Sequence, residues 1–170
     1  MLKRLLTYSV ESLVEMGRRI LVLLEAVPRL AGPAARLRTA QELLEAKHTT
    51  WRQAVEAARQ ARAARDESRT ALANLLREFA LALLALTGNN YSGLLFRRYF
   101  PDNYHVVVAL GSAEIAAFAR QVLAMLAEEP NARLPVFRDR IAAARDAVIS
   151  AEALFRDRQE DETEAFGIME

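Results

Sequence analysis

Three observations predict an all-α protein, an elongated antiparallel helical bundle of about four main helices. Pro33 and Gly88 enclose 54 residues with no glycine or proline. Apolar residues recur at alternating steps of three and four in several segments, the period of a helix face. Alanine, the strongest helix former, supplies 32 of the 170 residues. Only His105-Val106-Val107-Val108 looks β-like. It has no partner strand elsewhere, so it reads as extended chain or as the first turn of the next helix.

The first helix is apolar at Leu6, Val10, Leu13, Ile20, Leu24 and Val27. Ser12 followed by Glu15 is a candidate capping pair, and Gly17 weakens the middle. Pro28, Gly32 and Pro33 end the helix in a turn. The long helix, 34–87, would reach roughly 80 Å. It reads as three pieces. The start carries an apolar seam at Leu37, Leu44 and Trp51. From Ala57 to Arg69 the stripe thins to alanine among Arg59, Arg62, Arg65 and Arg69. From Leu72 to Leu86 the helix is apolar on nearly every side, which places this end in the core. Thr87-Gly88-Asn89 is a helix stop whose residues tolerate a left-handed backbone.

Five of the twelve aromatics, Tyr91, Phe96, Tyr99, Phe100 and Tyr104, fall within fourteen positions. They predict a short aromatic linker helix, Tyr91 to Tyr99, stopped by Pro101. Ser112 has the character of an N-cap, with Glu114 in the first turn. Ile115, Phe118, Ala119, Val122, Leu123 and Leu126 then form one face, ending at Pro130. The last helix repeats without a break at Leu134, Phe137, Ile141, Ala144, Val148, Ala151 and Phe155, the seam of an antiparallel bundle. Residues 1–158 are expected to form a single helical-bundle domain, and 159–170 an acidic, frayed tail.

Composition narrows function mainly by exclusion. Hydrophobic residues are 52% and charged residues 26%, a globular balance. A net charge of +1 offers no global attraction to nucleic acid or to an anionic membrane. Of the 23 cations only Lys3 and Lys47 are lysines. The absence of cysteine excludes disulfides, thiolate catalysis and zinc-thiolate sites. Met1-Leu2-Lys3-Arg4-Leu5-Leu6 resembles the start of a signal peptide, but Glu11 and Glu15 interrupt the apolar stretch. No window approaches the roughly 18 apolar residues of a transmembrane helix. A cytoplasmic location is the expectation. Lys3, Arg4, Arg18 and Arg19 on the first helix suggest a membrane-surface helix, against which stand Glu11, Glu15 and Glu25.

The chemistry-bearing motifs are sparse. Glu45-Ala46-Lys47-His48 has the Glu-x-x-His spacing of di-iron bundles, and Asp102 and His105 share it. A di-iron centre needs two such pairs and two more glutamates facing inward, so both histidines read as surface or interface residues. There is no nucleophile elbow and no glycine-rich phosphate loop. Glu128-Glu129 and Asp66-Glu67 are sequence neighbours on different sides of a helix and read as solvated charge. No catalytic residue, cofactor or metal ligand is assigned, and the chain is read as no enzyme.

Two surfaces remain. Arg59, Arg62 and Arg69, within an Arg row spanning 52–69, could track phosphates, although Arg52 with Glu56 and Arg62 with Asp66 are spaced for ion pairing. Phe96, Arg97, Arg98 and Tyr99 combine the aromatic and Arg character of interface hot spots. The rings either plug one end of the bundle or meet a partner. A third outcome has the rings inward and Arg97 and Arg98 outward. The leading expectation is a non-enzymatic structural or assembly protein, a homo-oligomer joined by helix–helix packing. Its motive is the Ala/Arg middle of the long helix, which needs a covering surface. The alternatives are an adaptor that binds another protein through loop 91–104, or a nucleic-acid binder through the Arg row.

Overall fold

A computed structural model describes residues 9–131 and 133–167. Lys3, Arg4 and Leu6 at the start, and Ile168 at the end, lie outside the described residues. The elements are α1 (Val10–Glu25), a 3-10 turn (Pro28–Leu30), α2 (Ala31–Leu86), α3 (Leu94–Tyr99), α4 (Tyr104–Val108), α5 (Ser112–Ala127) and α6 (Val136–Gly167). No strand occurs among the described residues, and the protein is an all-α helical bundle. No helix among them is long and apolar enough to cross a membrane.

Local chemistry accounts for the helix ends, with shifts from expectation. Ser9, rather than Ser12, caps α1, its hydroxyl accepting from the Ser12 N–H at 3.2 Å. The turn after α1 lies at Ala26–Leu30, and Gly32 and Pro33 fall inside the first turn of α2. Proline is tolerated there because first-turn N–H groups have no intrahelical acceptor. From Ala31 to Leu86 α2 is a single helix. Gly88 (φ 65°) and Asn89 (φ 62°) take the left-handed backbone expected of the stop, and the Asn89 N–H closes on the Leu84 carbonyl at 2.8 Å. Gly111, one residue before Ser112, is the cap of α5, and the Glu114 carboxylate accepts from the Gly111 N–H at 3.1 Å. The stretch Tyr104–Val108 is the short helix α4, so its valines serve no strand. The final helix remains helical through Gly167, across most of the segment expected to fray, and Ala165 there is buried.

The chain divides into two compact units: residues up to Ala57 together with those from Glu160, and residues Ala58–Gln159. In the first unit α1 runs antiparallel to the start of α2. The Gln41 amide donates to the Val14 carbonyl at 2.7 Å, Arg18 pairs with Glu45 at 3.0 Å, and Arg38 pairs with Glu25. Its buried apolar residues are small or few, Val14, Ala34 and Ala165, and Gln41 and His48 are buried in the same unit.

The second unit holds the main core. Leu72, Leu76, Phe79 and Leu83 of α2 meet Phe96 and Tyr99 of α3, Ile115, Val122 and Leu126 of α5, and Ile141 and Val148 of α6. The expected seams of α5 and α6 face this core. Phe79 is its hub. Its ring stands edge-on to Tyr99 at 5.1 Å and tilted to Phe137 and Phe100 at 5.3 and 6.0 Å. Here α2 and α6 run antiparallel, since Arg65 covers the Phe155 ring and Glu78 pairs with Arg140.

The Ala/Arg middle of α2 therefore finds cover within its own chain. Ala58 and Ala61 are buried, and the Arg65 guanidinium sits 4.2 Å above Phe155 of α6. This supplies part of the covering surface that the sequence predicts for the segment. Alanine allows α6 to approach closely, and a 32-residue α6 is long enough to reach it.

Candidate functional site

The aromatic segment splits by direction. Phe96, Tyr99 and Phe100 are fully buried, while Arg97 and Arg98 are exposed. Six residues of helix cannot turn both rings and guanidinia to one side, so α3 puts its rings into the core and its cations into water. Phe96 stacks on Phe100 at 5.5 Å, and Tyr91 meets Phe96 edge-on at 5.4 Å. Phe96 and Tyr99 thus serve as bundle plugs and leave the candidate surface. What α3 presents outward is Leu94, 90% exposed, with Tyr91 and Arg97 at steps of three on either side. The Leu94-Leu95 pair, apolar in an otherwise Arg- and aromatic-rich segment, is the sequence signal for this surface.

Behind this surface lies a buried carboxylate. The Glu129 side chain is only 3% exposed, although Glu128-Glu129 reads as solvated charge. After α5 ends, the chain turns toward Pro130 and directs Glu129 inward. Its Oε2 accepts from the Tyr99 hydroxyl at 2.7 Å and from Arg98 Nη1 at 3.4 Å, and its Oε1 accepts from the Asn131 N–H at 3.2 Å. Burial and then the hydrogen bond to Glu129 push the Tyr99 phenol well above the ordinary tyrosine range.

The Arg row is likewise divided. Arg69 turns inward and donates to the Leu110 and Val108 carbonyls at 2.7 and 3.0 Å, satisfying the end of α4. Arg65 takes Asp66 at 2.8 Å, the carboxylate expected for Arg62. Arg59 and Arg62 remain exposed. With Arg65 and Arg69 engaged, the exposed arginines of the row, Arg52 included, offer less than the continuous phosphate track that it suggests.

Neither histidine motif assembles a ligand set. Glu45 is held by Arg18 and by Gln41 Nε2 at 2.9 Å, and these contacts keep its carboxyl below the usual range. His48, expected at a surface or an interface, is buried against Trp51 with ring centres 5.8 Å apart, and its Nε2 lies 3.5 Å from Glu11 Oε1 of α1. Asp102 precedes α4 in a turn, so it shares no helix face with His105. Among the described residues no group of three or more His, Cys, Asp or Glu could hold a metal ion.

A further surface lies on α1. Val10, Val14, Gly17, Leu21 and Leu24, at steps of four and three, face α2 and are buried or half-buried. Leu13, Met16, Ile20 and Leu23 repeat at steps of three, four and three about a quarter-turn round the helix. Leu23 is 70% exposed, and Met16 and Ile20 are also open to water. The rim of this second seam is neutral, because Arg19 pairs with Glu15 at 3.0 Å within α1. Compared with known proteins, the chain matches no family model, and no curated protein or solved structure is similar to it.

Proposed function

We propose that the protein is a non-enzymatic assembly protein whose copies join through α1. The observation that carries this reading is the seam of exposed Met16, Ile20 and Leu23, continued by half-buried Leu13. Steps of three and four are the spacing with which helices pack on helices. The first unit buries little apolar surface of its own, so covering the seam adds stabilisation that the hairpin lacks. A second copy fits the charge pattern, since two neutral rims meet without net repulsion. Under a two-fold axis one such stripe is its own complement.

Light scattering on the full chain at high micromolar concentration tests this. A dimer mass is expected for the parent protein and a monomer mass for the Ile20→Glu, Leu23→Glu variant with unchanged helicity. A monomeric parent protein sinks the reading. A second reading, an adaptor that docks a protein partner on α3, draws its support from exposed Leu94 beside Arg97. Leu94→Asp with Arg97→Glu would remove that docking and leave the dimer intact.

A further inference from the structure

Helices α5 and α6 leave between them an open groove of about 400 Å³. That volume falls within the range of small-molecule sites. Its floor is apolar and mostly small, with Ala113, Ala116 and Ala117 from α5 facing Val148 and Ile149 from α6. Larger side chains in place of the alanines would close the trough. Along α5 the lining runs from Ser112 to Arg120, about 12 Å at the helical rise. That is room for an extended alkyl chain of medium length.

The rim has one dominant sign. Arg120, Arg145 and Arg156 border the groove, and Glu152 is the only carboxylate among its lining residues. Glu152 is engaged by Arg156 at 3.5 Å, and Arg145 holds Asp146 through Nη2 at 2.6 Å and Nε at 2.9 Å. Arg120 has no ion pair among the described residues. An apolar trough ending on an uncommitted guanidinium is complementary to a ligand with an alkyl tail and a single planar anion. A guanidinium binds a carboxylate through two parallel hydrogen bonds. A neutral head would forgo the ion pair with Arg120, and a cationic head would be repelled by it.

We infer that the α5/α6 groove binds a medium-chain carboxylate, the tail over the alanine floor and the head on Arg120. The inference is independent of the α1 seam. Calorimetric titration of decanoate into the full chain, below its aggregation concentration, is the test. One saturable site is expected, and decanol, with the same tail and no charge, should bind at least about tenfold more weakly. Arg120→Glu should weaken decanoate by at least about tenfold. Ala117→Phe should abolish binding by filling the trough, with both variants keeping the parent helicity and melting temperature. The inference is overturned by the absence of saturable heat or by decanol binding as tightly as decanoate. It is also overturned if Arg120→Glu binds decanoate as the parent does. Retention of the site by folded Ala117→Phe counts against it as well, since the ligand would then sit elsewhere.

Discussion

The Tyr99 hydroxyl and the Glu129 carboxylate, thirty positions apart, meet at 2.7 Å inside the second unit. The phenol is fully buried, and the carboxylate side chain is 3% exposed. The Tyr99 hydroxyl gives Glu129 its shortest hydrogen bond, and losing it removes a donor from a carboxylate that burial penalises. Tyr99→Phe should therefore destabilise the protein by about 1–3 kcal/mol. Chemical denaturation measures this. In a double-mutant cycle with Glu129→Leu, which has no acceptor, the two losses should be less than additive, because each substitution removes the same contact. Strict additivity would show that the two groups act separately.

The same pair sets an alkaline limit. The folded-state pKa of Tyr99 is raised, first by burial and then by Glu129. The neutral phenol is the favoured form in the folded protein. Its contribution is fully present below the ordinary tyrosine pKa, near 10, and is lost as pH rises above that value. Stability should decline above about pH 10, more steeply in the parent protein than in Tyr99→Phe. Denaturation midpoints across that range decide the matter, and identical slopes would refute the assignment.

Acid should act on the other unit. Arg18 and Gln41 hold the Glu45 carboxyl below its usual pKa, and the backbone at the start of α1, aided by Ser9, does the same for Glu11. Depressed carboxylate pKa values contribute stability above the unfolded-state pKa, and that contribution is lost as pH falls through the folded value. Amide exchange in α1 should thus accelerate below about pH 4 ahead of exchange in the Phe79 core. Both surfaces are solvent-exposed, so the effect should shrink in high salt. Equal acceleration in the two regions would contradict this.

Gly17 offers a test of close approach. A Cβ there would lie 2.0 Å from Gln41 Oε1 and 3.0 Å from Gln41 Cδ. The Gln41 side chain can move only by giving up its bond to the Val14 carbonyl, and it is buried. Alanine improves helix propensity by about 1 kcal/mol. Losing a buried hydrogen bond costs about 1–3 kcal/mol. Gly17→Ala should therefore be neutral to destabilising by about 2 kcal/mol, against the stabilisation that propensity alone predicts. A higher melting temperature would show that Gln41 finds a new partner.

Arg69 ties α2 to the end of α4. Two donors from its guanidinium reach the carbonyls of Val108 and Leu110. Arg69→Lys keeps the charge and loses the fork, so it should recover less than half of the roughly 1.5–3 kcal/mol removed by Arg69→Ala. Full recovery by lysine would mean that charge alone matters.

The regular helices were legible because their signals are local. The steps of α5 and α6 point their apolar residues at the core, and Gly88-Asn89 ends α2 for conformational reasons that need no neighbour. The surfaces were less legible. Arg59, Arg62 and Arg69 look alike in sequence, yet Arg69 is committed to α4, forty positions away in the chain. The stripe of α1 reads as one face when Leu13, Ile20 and Leu24 are taken together. Once α2 occupies the side of Val14 and Gly17, it separates into a buried seam and an open one.

What the sequence by itself determined is the set of helices and the burial of Leu72–Leu83, because backbone preference and apolar period act within a few residues. What tertiary structure decided is which polar groups are in use. Glu129 went inward to Tyr99, Arg65 folded over Phe155, and Arg120 was left at the edge of an apolar groove. Each outcome depends on partners tens of residues away, and the gain from burying or pairing a charge exists only after those partners have been brought together.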